Sequence, residues 1–253
     1  MPDPHVEALY YRFRSLNELD TFDKAKPLAG SVGRFDFVLE AGELVARPRD
    51  HFADVRTARA TIEPHLESWQ QFALLAESDH RISFDYDRAE VVDRSSGPDR
   101  QVYPGAAVAR VLVAEAAVRR DNGDYPPPAE TFIASPVTTR LIDRLRRMRD
   151  KRSEIPAAGY YVLTLLEREF KGRPAAARSL RLHKGLLNKL GELSNVNDPE
   201  IGRKGNLKGP ERPLTPEELA WIRACVRLLA IRVGEREAGV PLTQLTLSNL
   251  PRL

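Results

Sequence analysis

The side chains able to do chemistry are few and scattered. Histidines stand at positions 5, 51, 65, 80 and 183, and Cys225 is the only cysteine. There is no His-x-x-x-His and no Cys-x-x-Cys, and no carboxylate is arranged with the histidines at ligand spacing. The nitrogen and sulfur shell of a metal site is therefore not expected, and no cofactor is implied. The stretch RPRDHFAD brings Asp50, His51 and Asp54 together, the residue types of an acid/base group. Its simpler reading is a polar loop in which Asp54 caps the following helix. G-x-G-x-x-G, G-x-x-x-x-G-K-[ST] and G-x-S-x-G are all absent, which removes the sequence basis for a nucleotide cradle or a serine hydrolase. Cys225 lies inside an apolar helical pattern and reads as a small buried hydrophobe. One pair is left, Arg178 and His183, with four residues between them.

The elements that position these residues follow from length, charge and periodicity. A chain of 253 residues is large for one core and suits two domains. Hydrophobic residues at 42% and charged residues at 30% argue for a globular fold and against disorder or a fibrous repeat. No apolar run approaches the roughly 20 residues that cross a bilayer, and the first residues lack the layout of a secretion signal. The expectation is a cytoplasmic protein that does not enter membranes, and a lone cysteine fits a reducing compartment. The net charge of +3 conceals an asymmetry. Residues 1–130 carry 16 Lys and Arg against 23 Asp and Glu, net −7, whereas residues 131–253 carry 23 against 13, net +10. A basic half points to phosphate, nucleic acid or the acidic half of another copy.

DNGDYPPPAETF, Asp121 to Phe132, combines a turn dipeptide with three prolines and reads as a linker. The domains expected are an acidic one over 1–120, the linker over 121–132 and a basic one over 133–253. Before the linker the period is mostly two. VEALYYRFR sets Leu9, Tyr11 and Phe13 on one face, and RFDFVLEAGELVARP reads as two strands turning at Ala41 and Gly42. In RISFDYD, Ile82, Phe84 and Tyr86 alternate with polar residues, and RAEVVDR is a candidate pairing strand. Val55, Ile62, Leu66, Trp69, Phe72 and Leu75 recur at helical spacing around Pro64, which either kinks the helix or begins a shorter one. AAVARVLVAEAAVRR reads as a strand from its Val and Leu density, with a helix as the alternative that its alanines favour. The fold class expected is α+β: a mainly antiparallel sheet with a covering helix, then an all-α domain.

After the linker the period becomes 3.6. SPVTTRLIDRLRRMRDKR opens with Ser135 as N-cap and Pro136 at N1, and sets Val137, Leu141, Leu145 and Met148 as a stripe on an Arg-rich helix. IPAAGYYVLTLLEREF reads as a buried helix. TPEELAWIRACVRLLAIRVGERE opens with Thr215 as N-cap and Pro216 at N1, has Glu217 and Glu218 against the helix dipole, and ends near Gly239.

Between them GRPAAARSLRLHKGLLNKLGEL reads as two short helices and a tight turn. Ala176 and Ala177 permit close approach, Leu180 and Leu182 anchor the turn, and Leu186, Leu187 and Leu190 face inward. The spacing over Pro174 to Leu193 resembles that of helix-turn-helix DNA-binding domains. That resemblance implies a reading helix from His183 or Lys184, with Lys184, Asn188 and Lys189 toward the major groove and Arg178 and Arg181 on the DNA backbone. Two features depart from the family: Arg181 stands where glycine is frequent, and the second helix contains Gly185 and Gly191. A plain helical hairpin inside a bundle is the alternative. SNVNDPEIGRKGNLKGPERPLTP adds Arg203, Lys204, Lys208 and Arg212 as a basic arm able to track phosphates. Arg178 and His183 also resemble the Arg-x(4 to 6)-His signature of HEPN ribonucleases, small helical domains that usually act as dimers. Three functions remain: a non-enzymatic nucleic-acid-binding protein with a sensor or assembly domain, an adaptor docking on a protein partner or its own copy, and a helical ribonuclease.

Overall fold

The computed structural model describes residues 3–17, 20–75, 81–95, 100–104, 120–121, 123–150, 154–196 and 212–253. The chain divides into two compact units, Met1–Glu130 and Thr131–Leu253. The division falls where the charge changes sign, so the units carry −7 and +10.

The first unit is a six-stranded antiparallel sheet with a helix on one face. Its strands are β1 (Pro4–Ser15), β3 (Leu28–Val32), β4 (Phe35–Glu40), β5 (Glu43–Pro48), β6 (Ile82–Asp93) and β7 (Arg100–Pro104), in the order β3-β4-β5-β1-β6-β7. A separate parallel pair joins β2 (Asp20–Thr21) to β8 (Arg120–Asp121). The hairpin between β4 and β5 turns at Ala41 and Gly42, with φ of 49° and 76°. Positive φ at both central residues is what a two-residue turn needs to match strand twist. Leu9, Tyr11, Phe13, Phe35, Phe37, Leu39, Leu44 and Ala46 alternate onto the buried face, against the helix α1 (Val55–Leu75).

One expectation needs correction. RISFDYD and RAEVVDR do not pair with each other; they are one strand, β6, running beside β1 for its whole length. The apparent break is a β-bulge. Tyr10 opposes Arg88 and Tyr11 opposes Tyr86, leaving Asp87 as the extra residue, so inward positions change from Ile82, Phe84 and Tyr86 to Ala89 and Val91. Of the two readings at Pro64, the shorter helix does not occur; α1 continues through it. Pro64 deprives the Ala60 carbonyl of its helical donor, but both residues are exposed to water, while Ile62, Leu66 and Trp69 hold the opposite face in the core. At the start of α1, Asp54 accepts from the Thr57 amide at 2.8 Å and the Thr57 hydroxyl at 2.7 Å, and these bonds hold its carboxyl below the usual range.

Part of the segment read as a linker packs with this unit. Tyr125 is buried among Phe13 and Phe22, its hydroxyl accepts from the Gly42 amide at 3.1 Å, and the Pro126 carbonyl accepts from the Trp69 indole at 3.0 Å. An aromatic ring gains more by burial than a linker gains by freedom. The strand read over AAVARVLVAEAAVRR falls almost wholly outside the described residues.

The second unit is helical: α2 (Pro136–Asp150), α3 (Ile155–Glu169), α4 (Arg173–Ser179), α5 (Lys184–Ser194) and α6 (Pro216–Glu237). Ser135 caps α2, accepting from the Thr138 amide at 3.2 Å. Thr215 and Glu218 form a reciprocal capping box on α6. Both α3 and α6 are central. Helix α6 packs on α2, α3 and α5, and buries Trp221, Ile222, Cys225, Val226, Leu229 and Val233. At Gly159 a Cβ would stand 2.4 Å from Ser194 Oγ and 3.0 Å from Ile222, so only glycine lets α3 approach α5 and α6 this closely.

Candidate nucleic-acid interface

Helices α4 and α5 flank a short turn from Leu180 to His183. Ala176, Ala177, Leu180 and Leu182 are buried on the α4 side, and Leu186, Leu187, Leu190 and Leu193 on the α5 side. Gly191 lies against Leu163 of α3. At Gly185 the atoms nearest to an added Cβ belong to His183 and Leu247.

A feature without any local sequence signal completes the hairpin. The C-terminal stretch returns to the turn and pairs with it: the His183 amide donates to the Leu245 carbonyl at 2.7 Å, and the Leu245 amide donates to the Arg181 carbonyl at 2.9 Å. A 3-10 turn, Leu247–Asn249, follows, capped by Thr246.

The residues singled out from the sequence fall into three groups. Arg178, Arg181 and Lys184 are exposed and engage in no ion pair among the described residues. Asn188 and Lys189 have partners: Asn188 Oδ1 accepts from Arg173 Nη1 at 3.2 Å, and Lys189 Nζ meets Glu192 at 2.9 Å. Arg173 in turn meets Glu167 at 2.7 Å. Arg203, Lys204 and Lys208 lie outside the described residues. Arg212 of the same basic arm grips Glu218, and that contact holds the Glu218 carboxyl below the usual range.

His183 is the N-cap of α5, its Nδ1 accepting from the Gly185 amide at 3.2 Å. The imidazole that the ribonuclease resemblance would use is thus spent, on that side, on the helix end.

Two cations escaped the sequence reading, Arg168 and Lys171. Both are exposed at the end of α3 and without an ion pair among the described residues. The signal was the charge run itself. From Arg168 to Lys189 there are seven basic residues and one acid, Glu169, and a motif window opened at Pro174 cuts the run in half. Arg236 of α6 gathers these pieces: its Nε donates to Ser179 Oγ at 2.8 Å, and its guanidinium lies 5.1 Å from the Phe170 ring centre. One side chain touches the ends of α3 and α4, so Lys171 beside Phe170 and Arg181 beyond Ser179 emerge from the same end of the unit.

Elsewhere the chemistry is sparse. Cys225 is buried in α6 and burial pushes its thiol pKa up, so it is no nucleophile. A cavity of about 410 Å³ on the first unit is lined by Val55, Arg56, Arg59, Ala60 and Glu63, with Arg59 paired to Glu63 and stacked over Tyr86. Asp50 and His51 do not form an acid/base pair: Asp50 grips Arg34, and His51 lies 3.7 Å from Asp3. Among the described residues no cluster of His, Cys, Asp and Glu could hold a metal ion, and no helix is long and apolar enough to cross a membrane. In comparison with known proteins, no family model, curated protein or solved structure matches the chain.

Proposed function

We propose that the second unit binds nucleic acid through the phosphate backbone, without catalysis, and that the acidic first unit serves as a sensor or assembly surface. One observation carries the reading. Arg168, Lys171, Arg178, Arg181 and Lys184 project from the end of α3, from α4, from the turn and from the start of α5, all exposed and none neutralised by a carboxylate among the described residues. Surface cations in a globular protein are commonly interspersed with acids, and an uncompensated group over a seven-residue helix, about 10 Å long, attracts a polyanion.

The interface is more a backbone binder than a base reader. Asn188, the residue best suited to an adenine edge, is held by Arg173, and Lys189 is held by Glu192. Low sequence preference and strong salt dependence are the expected behaviour. Fluorescence anisotropy of the full chain on a labelled duplex, repeated across salt concentrations, tests this. The expected log K falls with log salt by about 0.9 for each phosphate contacted, and no binding at low salt contradicts the reading.

The charges of the units favour a second reading, in which the acidic unit of one copy docks on the basic unit of another. Sedimentation separates the two. Salt-sensitive self-association of the protein alone, with no binding to the duplex, supports docking between copies.

A further inference from the structure

Three helices of the second unit end in the same way but with different residues. In α3 the Gly172 amide donates to the Glu167 carbonyl at 2.6 Å, in α4 the Leu182 amide donates to Ala177 at 2.8 Å, and in α6 the Val240 amide donates to Glu235 at 3.1 Å. Each is the outer, six-to-one bond of a Schellman closure, which puts the residue before the donor in the left-handed region. In α6 that residue is Gly239, with φ of 72°, the residue type that takes this conformation without cost. In α3 and α4 it is Lys171, with φ of 60°, and Arg181, with φ of 53°. An L side chain is strained there, and both are long cations.

The two strained positions share one end of the unit, because Arg236 contacts both Phe170 and Ser179. Neither side chain is used inside the protein, since both are exposed and form no ion pair among the described residues. A cation beyond a helix C-terminus also faces the negative end of the helix dipole, and that alone is a structural reason to keep it. The dipole argument applies equally to α6, and all three helices already carry a cation in the last turn, Arg168, Arg178 and Arg236, yet α6 alone of the three closes on glycine. What sets Lys171 and Arg181 apart is that Arg236 joins the segments carrying them, with Arg178 and Lys184 three residues to either side of Arg181.

We propose that Lys171 and Arg181 are phosphate contacts held at left-handed cap positions, making the ends of α3 and α4 a two-pronged clamp on a nucleic-acid backbone. This rests on the second unit binding nucleic acid, and it adds which side chains grip and why they replace glycine. Fixing the backbone at its root limits the freedom a long cation loses on binding.

The test is a salt series on a labelled DNA duplex with the full chain and its Lys171→Gly and Arg181→Gly variants, with a thermal melt of each. The clamp gives glycine variants that melt at or above the wild-type temperature and bind several-fold more weakly. Each also flattens the slope of log K against log salt by about 0.9, while Lys171→Arg and Arg181→Lys keep it. A cap with no phosphate contact gives glycine variants with unchanged affinity and slope, whatever their melting temperature. That result overturns the clamp and leaves nucleic-acid binding by the unit standing. Failure of the wild type to bind the duplex at low salt overturns both, as does binding to an acidic peptide but not to the duplex.

Discussion

Leu182 and Leu245, 63 positions apart, form a parallel bridge that ties the C-terminal stretch to the turn between α4 and α5. Both side chains are buried, and the bridge satisfies backbone groups of Arg181 and His183 on either side of Leu182. The stretch thus supports the turn that carries Arg181. Leu245→Ala is expected to cost about 2–3 kcal/mol, as partial loss of a buried leucine does. The melting temperature checks the cost, and hydrogen exchange at the His183 amide reads it locally; protection unchanged at His183 contradicts the bridging role.

Ala41 occupies the first central position of the β4–β5 turn with φ of 49°. Asparagine tolerates that region better than alanine, and Asn-Gly is the preferred pair for such a turn. Ala41→Asn is expected to stabilise the first unit by about 0.5–1 kcal/mol. Denaturant unfolding measures the gain, and a loss of stability shows that the turn is not of this type.

His5 is buried against β6 and stacks on His51, with ring centres 5.2 Å apart. Burial first, then the charges of Arg94 and His51, lower its pKa below the ordinary 6.5; Glu7 and Asp3 oppose them. The unfolded chain takes up a proton as pH falls through about 6.5, where the native state does not. Stability contributed by neutral His5 is therefore full above that pH and declines as pH falls toward the lowered native value. Thermal melts at about pH 7.5 and about pH 5.5 should show the first unit losing stability, by at most about 1.4 kcal/mol per pH unit for one proton. His5→Phe, which keeps a ring against His51, should reduce that dependence; an unchanged dependence assigns it to other groups.

Much of this architecture is written in local pattern. Alternation at Leu9, Tyr11 and Phe13 and again at Phe35, Phe37 and Leu39 marks strands because one face of the sheet is buried. Ser135-Pro136 and Thr215-Pro216 mark helix starts because a cap and a proline suit those positions alone. What escaped is non-local or breaks a period. The Asp87 bulge shifts the alternation by one residue and so imitates a strand boundary. The Leu182–Leu245 bridge joins residues with no shared local pattern. At the candidate interface, Arg178, Arg181 and Lys184 are exposed, and the pairing of Asn188 with Arg173 needs the approach of α4 to α5 to become visible.

Arg178 and Lys184 are exposed cations of α4 and α5 that lie outside the strained caps and form no ion pair among the described residues, and both are proposed to contact phosphate. The measurement is the salt dependence of duplex binding by the Arg178→Gln, Lys184→Gln double variant against the wild type, at matched folding. The slope of log K against log salt is expected to flatten by about 1.8, because two phosphates are no longer neutralised, with weaker binding on every duplex sequence tried. Equal affinity and equal slope in variant and wild type contradict it.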